Sequence, residues 1–229
     1  MQLLSYSISE ATPMYGGGPG PGISVHKCQQ NGDSCNQLHL EISNHTGTHL
    51  DCPYHFDSNG KRLTDYPDSF WYCEPAMACV LSKKPEPGTL LSKEHVAEAI
   101  EAALESNTEL NPEEVQALLI KTGYCNLRSS EVYTNQSPGI HADMYTYLRD
   151  KFPELKFFGF DLISISSYMN RDHGRISHKA FLANENPILP IEDMDLRKLN
   201  APALVNILVS PIFIDRADGA PCSVWANIP

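Results

Sequence analysis

Hydrophobic and polar residues alternate along Leu38–Ser43. Leu38, Leu40 and Ile42 point one way and His39 and Glu41 the other, which predicts a strand with one inward face. Ile23 to Gln29 reads as a strand before it, and Leu3 to Ser9 as a short strand at the start. Between these two lies Thr12–Gly22, so rich in glycine and proline that it reads as a loop. Short apolar runs at Met77–Leu81, Ala117–Lys121 and Phe157–Phe160 predict further strands, the last one buried. Val96, Ile100 and Leu104 share one helical face, and Ser92 can cap a helix running to about Glu105. Asn111, Pro112 and Glu114 begin a second helix, kept short by the strand that follows. Gly139 to Lys151 predicts a third helix, stopped by Pro153. Asp57–Arg62 and Pro85–Gly88 read as a turn and a loop. Strands alternate with helices in the second half, which favours parallel pairing, while the first half is strand-rich and hairpin-like. The expectation is one mixed α/β domain over 1–229, with parallel and antiparallel strands and no internal repeat.

The strand at Leu38 leads into His45-Thr46-Gly47-Thr48-His49-Leu50-Asp51-Cys52-Pro53-Tyr54-His55-Phe56, where three histidines and an aspartate fall within eleven residues. His45, His49, Asp51 and His55 share one parity, so an extended chain would turn all four to one side. Gly47, the threonines and Pro53 oppose a helix here. Two imidazoles and a carboxylate on one side make a three-ligand site for a divalent metal that leaves a position open for water or substrate. Cys52 has the opposite parity and reads as a packing residue.

Composition narrows the classes of function. A net charge of −11 argues against nucleic acid and against anionic membranes. No stretch is long and apolar enough to span a bilayer. Seven cysteines with no Cys-x-x-Cys pair, and a start without a basic, then apolar leader, fit a reduced cytoplasmic setting. After the motif, Asp65 to Glu74 carries Tyr66, Phe70, Trp71 and Tyr72. Such a group is either core packing or a pocket wall. Its place directly behind the metal motif makes Phe70, Trp71 and Tyr72 candidate substrate-binding residues.

His45-x-Gly47-Thr48-His49-x-Asp51-x-Pro53-x-His55-Phe56 resembles the defining motif of the cyclase family of metal-dependent hydrolases, which includes bacterial kynurenine formamidase and isatin hydrolase. Ile120–Tyr124, Pro138–Ile140, Gly159–Ser164 and Ala217–Pro221 look like later segments of the same family, in order. The resemblance implies a swivelling β/β/α-like fold, self-association into at least a dimer, and two further ligands. His178 in His178-Lys179-Ala180-Phe181-Leu182 and Glu192 after Pro187–Ile191 match those positions. His173 and Glu185, in segments that read as turns, are the competitors, and Asp193 is an alternative to Glu192. Six groups exceed one tetrahedral zinc, so two ions bridged by Asp51 would use them all, a single ion with supporting residues being the alternative. Zinc suits the donors best, and manganese also fits.

The expected activity is hydrolysis of an amide, or of a cyclic amide or ester, in a small carbonyl compound. Metal would activate water, and His55 would carry a proton to the leaving nitrogen. Arylformamidase activity and a non-catalytic metal-binding role are the alternatives. The sequence departs from the family at the Gly-rich loop and at Tyr72-Cys73-Glu74-Pro75.

Overall fold

The computed structural model describes residues 1–228. Among the described residues are twelve strands: β1 (Gln2–Leu3), β2 (Gly22–Lys27), β3 (Gln37–Glu41), β4 (His49–Asp51), β5 (Tyr72–Val80), β6 (Leu90–Leu91), β7 (Ala117–Lys121), β8 (Gly139–Ile140), β9 (Phe157–Phe160), β10 (Leu189–Glu192), β11 (Ala203–Pro211) and β12 (Gly219–Asn227). Four α-helices accompany them among the same residues: α1 (Lys93–Glu105), α2 (Glu131–Asn135), α3 (Asp143–Lys151) and α4 (Arg171–Leu182).

The main sheet runs β1-β12-β11-β5-β7-β9-β10-β4, and β12 also pairs with β4, so the sheet closes into a barrel. Strands β5, β7, β9 and β10 are parallel, while β4, β11 and β12 join antiparallel. The two-residue period divides each strand between two environments. On β7, Ala117 and Leu119 fill the barrel, whereas Leu118 and Ile120 lie in an outer layer with Val96 and Ile100 of α1, Met144 and Leu148 of α3 and Phe181 of α4. Burial on both faces explains why β7 and β9 read as continuous apolar runs.

Several expectations need correction. Strand β3 forms where alternation predicts it, but Leu38 and Leu40 are 59% and 55% exposed. The β2–β3 hairpin is a separate two-stranded sheet, so its alternating face has no core within the chain to meet. The first strand stops at Leu3, followed only by an isolated bridge from Ser5 to Met194. The segment after Asn111 is a single turn, Pro112–Glu114, capped as expected by the Asn111 side chain, which accepts from the Glu113 amide. The third helix starts at Asp143, because Gly139 and Ile140 are drawn into pairing. Their amides donate to the Thr89 and Ile165 carbonyls at 2.9 and 2.8 Å. Strands β11 and β12 and helix α4 have no counterpart among the elements that the sequence pattern predicts.

Of the aromatic stretch after the motif, Tyr66 and Trp71 belong to the barrel core. Trp71 is 5% exposed and packs against Tyr66 and Phe157, with ring centroids 5.8 and 6.1 Å away. Phe70 packs on the same core, and Tyr72 points outward, its hydroxyl donating to Glu74 at 2.7 Å. Trp71→Ala is therefore expected to cost about 3–5 kcal/mol in denaturant unfolding while leaving the KM of an aromatic substrate unchanged. A raised KM with stability intact would return Trp71 to the ligand pocket.

Candidate metal centre and active site

On β4 the side chain of Leu50 enters the barrel, so His49 and Asp51 face outward. On β10, Ile191 enters the barrel and Glu192 faces outward beside them, since Glu192 and His49 are register partners. Helix α4 covers this part of the wall and adds His178. Gly174 lets α4 approach: a Cβ there would overlap Ser166 in the loop after β9. That glycine, with Asn170 and Asp172, makes the segment look like a turn in sequence, which conceals both α4 and the setting of His178.

His45 lies in a turn and His55 in the short helix Pro53–His55, so the extended geometry predicted for the motif holds only at His49–Asp51. Gly47 makes the bend between the first two histidines with φ of +65°, a conformation costly for any residue with a Cβ. The four groups still converge.

The hydrogen bonds fix which nitrogen each imidazole presents. Nδ1 of His49 donates to the Gly47 carbonyl at 2.8 Å, and Nδ1 of His178 donates to the Gly174 carbonyl at 2.8 Å. Both Nε2 atoms are thereby aimed at carboxylates: His49 lies 3.3 Å from Glu192 and 3.6 Å from Asp51, and His178 lies 3.6 Å from Asp51. Gaps of 3.6 Å are too long for good hydrogen bonds. Glu192 is held from behind by the Ile165 amide at 2.6 Å. His45 joins Asp51 at 2.8 Å through Nδ1 and Asp218 at 3.1 Å through Nε2. His55 donates from Nδ1 to Asp218 at 2.6 Å, and its Nε2 has no hydrogen-bond partner among the described residues.

The groups shift one another's proton affinities. Burial opposes charge on His49, but the hydrogen bond and charge of Glu192 outweigh it and raise the imidazole to about 9. Burial likewise opposes charge on His45 and His178, and Asp51 overrides it, raising both. Asp51 is pushed up by burial and pulled further down by His178 and His45, ending well below the ordinary carboxylate range.

His45, His49, Asp51, His55, His178 and Glu192 thus all line one cavity of about 360 Å³. Two sets of donors close enough to share an ion, His45–Asp51–His55 and His49–Asp51–Glu192, overlap at Asp51. The structure does not bring Phe70, Trp71 or Tyr72 to this cavity, whose aromatic walls are Tyr15 and Phe56. His173 stacks on His141 instead, and Glu185 is exposed. Asp193 turns its carboxylate to Arg128, at 2.8 and 2.6 Å, and to the Tyr133 hydroxyl. Cys52 is buried in the barrel. Sequence reasoning misses Asp218. Pairing of β12 with β4 sets Gly219 opposite Asp51 and so carries its neighbour Asp218 to the histidines.

A family profile described as "Putative cyclase" matches residues 3–167, including the whole histidine motif. The chain belongs to the cyclase family. Kynurenine formamidase from Bacillus cereus is 28% identical over 192 residues, covering 82% of this chain and 78% of the relative. The cyclase fold is matched by isatin hydrolase A from Labrenzia aggregata bound to benzyl benzoate, with TM-score 0.77 at 18% identity over 98% of this chain and 92% of that one. A potential metal-dependent hydrolase with cyclase activity matches with TM-score 0.72 at 18% identity, over 97% and 94%.

The raised imidazoles predict a pH signature. Their ion pairs stabilise chelator-treated protein fully below the ordinary histidine value of 6.5, and that stabilisation is lost as pH rises through about 9. Asp51 contributes above its ordinary 3.8 and is lost only well below it. Tm of the chelated protein should fall between pH 6.5 and 9, and saturating divalent metal, which needs the imidazoles neutral, should remove the fall. A flat profile without metal would contradict these couplings.

Proposed function

We propose that this cyclase-family chain is a metal-dependent hydrolase that cleaves an amide, or a cyclic amide or ester, in a small carbonyl compound. The observation that carries the reading is the aim of the imidazoles. His49 and His178 each bury Nδ1 in a carbonyl hydrogen bond and present Nε2 toward Asp51, across gaps of 3.6 Å. Nitrogen and carboxylate oxygen donors fixed from behind in this way fit a divalent cation, whose charge would offset two carboxylates buried to 1% and 3% exposure. His45, His49, Asp51, His178 and Glu192 would hold it, and among them His49, Asp51 and Glu192 are close enough to share one ion. We place zinc ahead of manganese on the three imidazoles. When bound, the metal supplies Lewis-acid polarisation of a carbonyl and acidifies water.

His55 does the proton work. Asp218 accepts from its Nδ1, which fixes the ring and leaves Nε2 free to take a proton from the attacking water. As the carbon–nitrogen bond breaks, the same Nε2 returns that proton to the leaving nitrogen. Tyr15 and Phe56 offer flat walls for a planar substrate, and Phe56 stacks on His178 with centroids 4.4 Å apart. Aryl formamides are the first substrate class to examine, given the Bacillus relative. A binding protein without catalysis would have no use for a hydrogen-bonded His55–Asp218 pair directed into the cavity. The exposed apolar side chains of the β2–β3 hairpin support self-association.

Elemental analysis and hydrolysis of formanilide and isatin on one preparation test the proposal. Wild type should contain divalent metal and turn over at a chelator-sensitive rate. His49→Ala should lose metal and activity together, and full metal content would refute the ligand assignment. His55→Ala should keep its metal while kcat falls by about 10²–10⁴. A rate within a few-fold of wild type would remove His55 from the reaction.

A further inference from the structure

The cavity at the candidate metal centre has a cationic rim, Arg171 and Arg175, whose charge the chain pairs only weakly. Arg171, Arg175 and His178 stand at positions i, i+4 and i+7 of α4, one face of a helix, and all three line the cavity. The carboxylates that line it are already engaged. Asp51 meets His45 and His178, Glu192 meets His49 and the Ile165 amide, and Asp193 is clamped by Arg128. Arg171 has neither an ion pair nor a hydrogen bond among the described residues, and lies 5.4 Å from the Tyr168 ring. Tyr168 in turn meets Tyr15 edge-on at 5.5 Å, so the guanidinium adjoins the aromatic wall of the cavity. The only ion-pair partner of Arg175 among the described residues is Asp172, which is 96% exposed and holds it weakly. In a chain with 28 acidic and 17 basic residues, two exposed arginines that line this cavity without a firm internal partner offer a place for an anion from outside.

We propose that Arg171, assisted by Arg175, forms a carboxylate-binding subsite, and that the substrate carries an anionic carboxylate remote from the bond that is cut. Seven residues of helix separate Arg171 from His178, about 10 Å along the axis. A substrate spanning the two needs a rigid spacer about the size of one aromatic ring between its carboxylate and its scissile carbonyl. The planar fork of arginine suits a carboxylate, and Tyr15 and Phe56 suit the ring. The position of the scissile bond rests on the hydrolase reading, whereas the anion subsite does not.

The probe is 4-aminobenzoate, compared with aniline, titrated calorimetrically into metal-replete protein. Wild type should bind the carboxylate compound tighter by about tenfold or more. Arg171→Gln should abolish that preference, and Arg171→Lys should retain part of it. Equal affinities in wild type would overturn the subsite. So would a preference that survives intact in Arg171→Gln, because the metal alone would then hold the carboxylate. If Arg171→Gln does not fold, Arg171→Lys carries the test: a reduced preference supports the subsite, and a preference equal to wild type overturns it. Hydrolysis of 4-formamidobenzoate and formanilide is measured in parallel. Failure to cleave either, with the binding preference intact, would defeat the hydrolase reading and leave the anion subsite standing.

Discussion

The structure depends on the Asp51 carboxylate, buried to 1% exposure among three imidazoles. An unpaired carboxylate in such a place would carry a desolvation cost of several kcal/mol. It persists because His45, His49 and His178 reach it from a turn, a strand and a helix. Each of those elements is fixed by something else. The barrel holds β4 through Leu50, Gly47 bends the chain back to His45, and Gly174 admits α4 to contact with the Ser166 loop. The alternation of a strand is what separates core from chemistry here. Leu50 and Ile191 go inward, and His49, Asp51 and Glu192 go outward, from the same two short strands.

Closure of the barrel and pairing of Asp218 with His45 and His55 are one event. β12 reaches β4 at Gly219–Pro221, and Asp218 immediately before it meets His45 and His55. The Asn44 side chain donates to Asp218 at 2.5 Å and ties that carboxylate to the start of the motif. Residues separated by more than 160 positions in sequence are therefore held in one hydrogen-bonded set. A loosened β12 edge would part Asp218 from His45 and His55 before it disturbed Glu192 or His178.

The histidine motif is legible in the sequence because four groups of metal-binding type fall so close together that local geometry alone nearly assembles them. The short apolar strands β7 and β9 are legible for a similar reason, since burial on both faces leaves an uninterrupted run. Glu192 and His178 are reachable only through the family resemblance, because nothing in their own neighbourhoods marks them. Asp218 is one aspartate in a short Gly-Pro segment, and only strand pairing across the barrel gives it a role. Helix α4 is hidden because Asn170, Asp172 and Gly174 signal a turn, while tight packing is the true reason for the glycine. Leu38 and Leu40 obey the strand period yet face solvent, since period specifies a face and not what covers it. Phe70 to Tyr72 follow the motif closely in sequence, but the chain turns at Asp57–Arg62 and carries them into the barrel and beyond it. Nearness along the chain is here a poor guide to nearness in space.

The convergence of these side chains around Asp51 fits a divalent metal. Anomalous diffraction from crystals grown with zinc, recorded on both sides of its absorption edge, tests it most directly. One or two edge-dependent peaks are expected within bonding distance of Asp51, flanked by Nε2 of His49 and His178 and by Glu192. Metal-replete crystals with no peak at Asp51, or with zinc bound only elsewhere, would contradict it.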